Sequence, residues 1–198
     1  MTRRHLSVLL AIALVTAGCA RGEARREARP DSEAPVADTS QEGGETALDR
    51  DAVATISLLR QLADRDEALI EMARLAMTRR EQLQVSAEAR SMLTEQRRES
   101  NRLLGLLRGE YHDTYQAKIS PEDQPFLDAL NGVGVGDFDR TFLETVAKHH
   151  ADDMKLIDES LPTVKAPKVR EVLTEIRAQR AEQAASFSKI TPKKASAR

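Results

Sequence analysis

The 198-residue chain has one cysteine, no tryptophan and only four phenylalanines and two tyrosines. A lone cysteine rules out an internal disulfide framework and any C-x-x-C redox or zinc motif. Strand-forming residues are sparse beside the abundant Ala, Leu, Arg and Glu, so an all-α protein is expected. There is no Gly-rich phosphate loop, no G-x-S-x-G turn and no H-E-x-x-H helix, which removes nucleotide, serine-hydrolase and zincin chemistry. No Glu stands three residues before any His, so the di-iron carboxylate pattern is missing as well. Without a complete nucleophile–base or paired-carboxylate set, an enzyme is not expected.

The N-terminus has a different character from the rest. Arg3 and Arg4 precede the apolar run Leu6–Val15, too short for a stable membrane span but right for the core of a signal peptide. It ends in Thr16-Ala17-Gly18-Cys19, similar to the lipobox of bacterial lipoproteins except for Thr16 where Leu is usual. Residues 1–18 are therefore read as a lipoprotein signal peptide and Cys19 as the lipidation site, with acyl chains holding the chain on a membrane. Ala20 in place of Asp resembles lipoproteins sorted to an outer membrane, so the expected location is the cell envelope, facing the periplasm. Removing residues 1–19 leaves 28 basic against 32 acidic side chains, a formal charge of −4 that argues against a nucleic-acid partner.

Residues 19–48 hold Pro30, Pro35, Gly43, Gly44 and many charges but little apolar bulk, and are expected to form a disordered linker. Beyond it the apolar residues recur at helical spacing. Ile56, Leu59, Leu62, Ala63, Ile70, Ala73 and Met77 mark a first helix. Ala89, Met92, Leu93, Leu103, Leu104 and Leu107 mark a second, with Ser86 as its expected N-cap. These form a first helix pair over 49–118. A connection over 119–136 contains a short helix started by Ser120-Pro121-Glu122-Asp123 and ended by Gly132, Gly134 and Gly136. A second pair over 137–191 runs from Phe138 to Leu161 and from Pro167 to about Ile190, followed by a tail, 192–198.

The two pairs look like copies. Leu58-Leu59-Arg60-Gln61-Leu62-Ala63 superposes on Phe142-Leu143-Glu144-Thr145-Val146-Ala147 at an offset of 84, and Gln96-x-x-Glu99 matches Gln179-x-x-Glu182 at an offset of 83. The one-residue difference suggests a shorter connection in the second copy. Two amphipathic pairs close naturally into a four-helix bundle.

His149-His150 is the most conspicuous chemical pair. His150 lies on the apolar stripe of Phe142, Val146, Met154 and Ile157, while His149 lies at its edge with Asp153 one turn later. A metal site is one reading. The other is one buried, hydrogen-bonded histidine and one exposed. In the first copy Arg65 and Asp66 stand at the histidine positions, and Asp66 needs a partner if buried: His150 across the bundle, or a shared metal. Gln96, Glu99, Gln179 and Glu182 are candidates for hydrogen bonds to the His-bearing helices, or else are solvated.

This combination resembles the bacterial family called domain of unknown function 305, whose members are secreted or lipid-anchored helix-pair repeats of the ferritin-like superfamily. The resemblance rests on Phe138-Asp139-Arg140-x-Phe142, His149-His150 and Gln179-x-x-Glu182 in the second copy. In the first it rests on Leu69-Ile70-Glu71-Met72-Ala73 and Gln96-x-x-Glu99, over roughly residues 50–190. A neighbouring family, domain of unknown function 4142, shares the helical, exported and F-D-R-containing character. The first resemblance implies a ferritin-like four-helix bundle and, as links of some members to copper suggest, a non-catalytic metal site for copper. Here it would use His149 and His150 with Asp153, Met154 or Asp66. The alternative is a helical envelope interaction module with no metal site.

Overall fold

The computed structural model describes residues 45–79 and 82–190; the leader, Cys19, most of the linker and the tail lie outside the described residues. Five helices and no strand occur among them: α1 (Glu45–Arg79), α2 (Leu83–Tyr111), α3 (Gln124–Gly132), α4 (Phe138–Ser160) and α5 (Pro167–Phe187). The all-α class and the order of elements are those expected from the apolar periodicity. Helix α1 begins within the stretch read as linker, because Glu-Thr-Ala-Leu at 45–48 continues the helix-favouring composition backwards.

Helices α1 and α2 pack as one hairpin and α4 and α5 as another; the hairpins join through α1 against α4 and α2 against α5. The resulting four-helix arrangement carries α3 as a short brace on α1 and α4. Ser86 does not cap α2. Gln82 holds the extended N-cap conformation and accepts the Ser86 N–H at 3.0 Å, placing Ser86 inside the first turn. The reason is burial of Val85, which extends the apolar stripe and the helix by one turn. At the other end His112 adopts the left-handed conformation, φ 54°, and the Asp113 N–H closes on the Leu107 carbonyl at 3.0 Å.

The segment after α2 runs back along α1 and is pinned there by polar contacts. Arg60 pairs with Asp113 at 2.8 Å, while Asp64 accepts from the Tyr115 hydroxyl at 2.6 Å and from the Lys118 N–H at 2.9 Å. At the opposite end of α1, Arg79 donates to the Asn131 and Val133 carbonyls at 2.8 and 3.3 Å and lies over the Phe138 ring. Gly136, at φ 96°, supplies the left-handed turn into α4.

Two apolar clusters fill the interior. One gathers Leu69, Met72, Met92, Phe138, Phe142 and Phe187; the other gathers Leu59, Leu62, Leu103, Leu107, Leu173 and Ile176. On each long helix the residues between the clusters are polar and buried: Asp66, Gln96 with Glu99, His149 with His150 and Asp153, and Arg180.

The burial pattern also corrects the repeat register. Val85, Ala89, Met92, Gln96 and Leu103 on α2 match Val169, Leu173, Ile176, Arg180 and Phe187 on α5, all buried and all 84 positions apart. The offset is therefore 84 throughout, and the Gln179-x-x-Glu182 likeness lies one residue out of register. The connection in the second copy, 161–166, is the longer one and not the shorter. What decides the alignment is which face meets the core, and a short polar motif carries little of that information.

Phe142 stacks on Phe138 with centroids 6.1 Å apart and meets Phe187 edge-on at 6.3 Å. Phe142→Ala is expected to cost about 3–5 kcal/mol of folding stability, measured as a lower urea midpoint at unchanged m-value.

Candidate functional site

The polar layer is organised by one side chain. Arg180, on α5, is 1% exposed and fans its guanidinium into the other three long helices. It is ion-paired with Asp66 of α1, with Glu99 of α2 at 2.8 Å and with Asp153 of α4 at 3.2 Å, and donates to the Gln96 side-chain oxygen. Asp153 is held from its other side by Arg65 of α1. Gln96 donates to Gln183 at 3.1 Å, and Gln183 donates in turn to Glu95 near the surface. Gln179 lies between Glu99 and Arg98, its amide nitrogen 2.6 Å from Glu99 and its oxygen 2.6 Å from the Arg98 guanidinium.

A guanidinium suits this place because its five donors diverge in a plane and its charge persists when buried. Burial opposes the Arg180 charge, but Asp66, Glu99 and Asp153 more than reverse this and hold its pKa above the ordinary arginine value. Burial likewise raises Asp66 well above the usual carboxylate range against the pull of Arg180, with Glu99 and Asp153 adding repulsion. Glu99 is raised for the same leading reason, again against Arg180.

The histidines are both buried, which corrects the expectation of one exposed ring. They face different neighbours. His149 lies edge-on to Phe126 of α3, ring centroids 4.8 Å apart, with its Nδ1 3.8 Å from Asp123. His150 stacks on Phe187 of α5, centroids 6.1 Å apart. Neither ring has a well-formed hydrogen bond at either nitrogen. Burial lowers the pKa of His149, with Asp123 acting in the opposite direction and Arg65 adding to the fall. His150 is held well below the ordinary histidine value, first by burial and then by the Arg180 charge, which its contact with Gln183 does not offset.

The residues named from the sequence for a metal are not gathered into one cluster. Asp66 and Asp153 are engaged by guanidinium groups, so Asp66 meets Arg180 where His150 or a metal had been expected. Met154 is only half-buried, while Asp153, expected near the stripe's edge, is fully buried. The two imidazoles turn toward different helices, and among the described residues no group of three or more His, Cys, Asp or Glu side chains is placed to hold a metal ion. Of the four polar candidates, Gln96 and Glu99 enter the core and bond to α5, not to the His-bearing helices. Gln179 is half-buried, and Glu182 is exposed at the rim of a cleft of about 230 Å³ between α2 and α5. Arg180 was missed as the centre. Its signal was present: it falls four residues after Ile176 and seven before Phe187, on the apolar stripe of its helix.

This is a four-helix domain with an ion-paired core. The chain belongs to the family described as domain of unknown function (DUF4142), whose family model matches residues 38–189. Among solved structures it is similar to a crystal structure of a DUF305 fragment from Deinococcus radiodurans, at 17% identity and a TM-score of 0.61. The match covers 68% of this chain and 92% of that one. No curated protein matches the chain. The likeness to the DUF305 fragment is one of helical fold, and the family itself is DUF4142, the neighbouring family that the F-D-R motif also suggested.

Arg180→Met leaves three buried carboxylates without their common partner and is expected to cost about 3–5 kcal/mol near neutral pH, read by urea denaturation. The two neutral imidazoles set an acid dependence of opposite origin. Their folded pKa values are depressed, so the stability they contribute is present above about pH 6.5 and is lost as the pH falls toward the folded values. Asp66 and Glu99, being raised, take up protons in the folded state first and partly offset this at lower pH. The melting temperature is expected to fall from about pH 7 to about pH 5, and to fall less steeply in His150→Leu.

Proposed function

We propose that this chain is a non-catalytic, lipid-anchored helical module of the bacterial cell envelope, with its polar core organised by Arg180 and not by a metal. Support for the location comes from the sequence alone: Arg3 and Arg4, the apolar run Leu6–Val15, and the lone Cys19 after Ala17-Gly18. The observation that carries the rest is the guanidinium of Arg180 lodged among Asp66, Glu99 and Asp153. A fixed internal cation does for these carboxylates what a bound metal does elsewhere: it lets groups of like charge share a buried site. The ion pairs join all four long helices and so set how the two hairpins meet. In this role the layer serves specificity of assembly.

The copper reading retains one favourable feature, two buried imidazoles whose nitrogens form no well-formed hydrogen bond among the described residues. Titration of residues 20–198 with Cu(I), Cu(II) and Zn(II), together with metal analysis of untagged protein, separates the readings. The expected result is no tight stoichiometric binding, with His149→Ala plus His150→Ala altering the melting temperature and not the metal content. Tight binding abolished by that double variant would replace this reading with the metal one. For the anchor, the full chain expressed in a bacterial host is expected in the membrane fraction with an acylated N-terminal cysteine. Cys19→Ser is expected to remain unacylated. An uncleaved leader on the wild-type chain would refute the export part.

A further inference from the structure

The outward face of α2 differs from the other exposed helix faces among the described residues. Leu83, Arg90, Arg97 and Arg108 fall on one line along it, with Arg98 and Arg102 on its flank, where Arg102 pairs with Glu175 of α5. No acidic side chain lies on that line or between it and the flank; Glu88, Glu95 and Glu99 all turn toward α5 or the core. From Arg90 to Arg108 the stripe is about 27 Å long. Arg97, Arg98 and Arg102 also line a shallow groove with Thr94 and Asn101.

An ordinary solvated helix face mixes its signs, and this protein shows that elsewhere. On α4 the exposed lysines have acids one turn on, Lys148 with Asp152 at 2.7 Å and Lys155 with Glu159 at 3.8 Å; on α1 Arg74 pairs with Glu71. The five cations of α2 are all arginine, the side chain whose planar fork matches phosphate oxygens in pairs. They are gathered on one helix in a chain that is acidic overall. Leu83, 86% exposed, opens the same stripe.

We infer that the arginine face of α2 docks on an anionic lipid surface, its guanidiniums on headgroup phosphates and Leu83 in the apolar layer beneath. A single-sign arginine stripe with an exposed leucine at its end fits a lipid surface, which offers both phosphate and hydrocarbon. A nucleic acid would make no use of Leu83, and the stripe has no aromatic side chain for base stacking. The inference deepens the anchored-module reading and rests on it for the presence of a membrane, but the chemistry of the face stands apart from Cys19. Acyl chains tether the N-terminus; the α2 face would lay the domain down beside them.

The test uses residues 20–198, which contain the whole family-matched region and lack both leader and Cys19, so its outcome is independent of lipidation. Co-sedimentation with phosphatidylcholine vesicles and with vesicles also containing phosphatidylglycerol should give binding only to the second kind. That binding should disappear at about 1 M salt, where the screening length is about 3 Å. Arg90, Arg97 and Arg108 are exposed and form no ion pair among the described residues, so Arg90→Gln, Arg97→Gln and Arg108→Gln combined should leave the melting temperature unchanged. The triple variant should weaken vesicle binding about a hundredfold. Leu83→Ser should weaken it further without changing the salt dependence. Equal binding to both vesicle types, unchanged binding by the triple variant, or binding to an oligonucleotide duplex but not to vesicles would overturn the proposal. Full competition by inorganic phosphate at concentrations too low to screen charge would overturn it as well.

Discussion

The contact on which the rest depends is that of Arg180 with Asp66, Glu99 and Asp153 at the centre of the bundle. Each group alone would be costly to bury; together, with Gln96 and Arg65 satisfying further atoms, they become a linked set that only one arrangement of the four helices supplies. Apolar stripes by themselves tolerate sliding and rotation of one hairpin on the other. A guanidinium that must reach three carboxylates on three different helices does not.

The layer also separates the two apolar clusters and gives the halves of the repeat different duties. At equivalent positions the first copy supplies Asp66 and the second His150; the first supplies Gln96 and the second Arg180. Equivalent positions of the two hairpins thus keep the shape of the interior while their charges are complementary across the interface. The histidines, which drew attention as a pair, ended on separate sides: His149 against the brace helix α3 and its Asp123, His150 against Phe187 of α5. Their closeness in sequence placed them about 100° apart on the helix, and packing on both sides of that angle did the rest.

Outside, charge is distributed just as unevenly. Paired lysines and acids lie along α4, whereas Arg90, Arg97 and Arg108 line the outward face of α2 with no acid among them. A face of one sign has consequences beside a phosphate-rich surface that it does not have in free solution.

Helix number, approximate ends and the inward faces were legible in the sequence, because 3.6-residue periodicity, Pro162, Pro167 and the glycines before α4 act over a few residues. Burial of Asp66 was legible too, from its place on the stripe of α1. Its partner was not: Arg180 stands 114 residues away and the motif match pointed one residue aside, to Gln179 and Glu182. The start of α2 shifted from Ser86 because Val85 found a buried place, a fact of packing that no capping preference records. Local order here follows from chain-local sterics and periodicity. The pairing of buried charges was decided only when four helices met, since a Coulomb interaction depends on distance in space and not on separation along the chain.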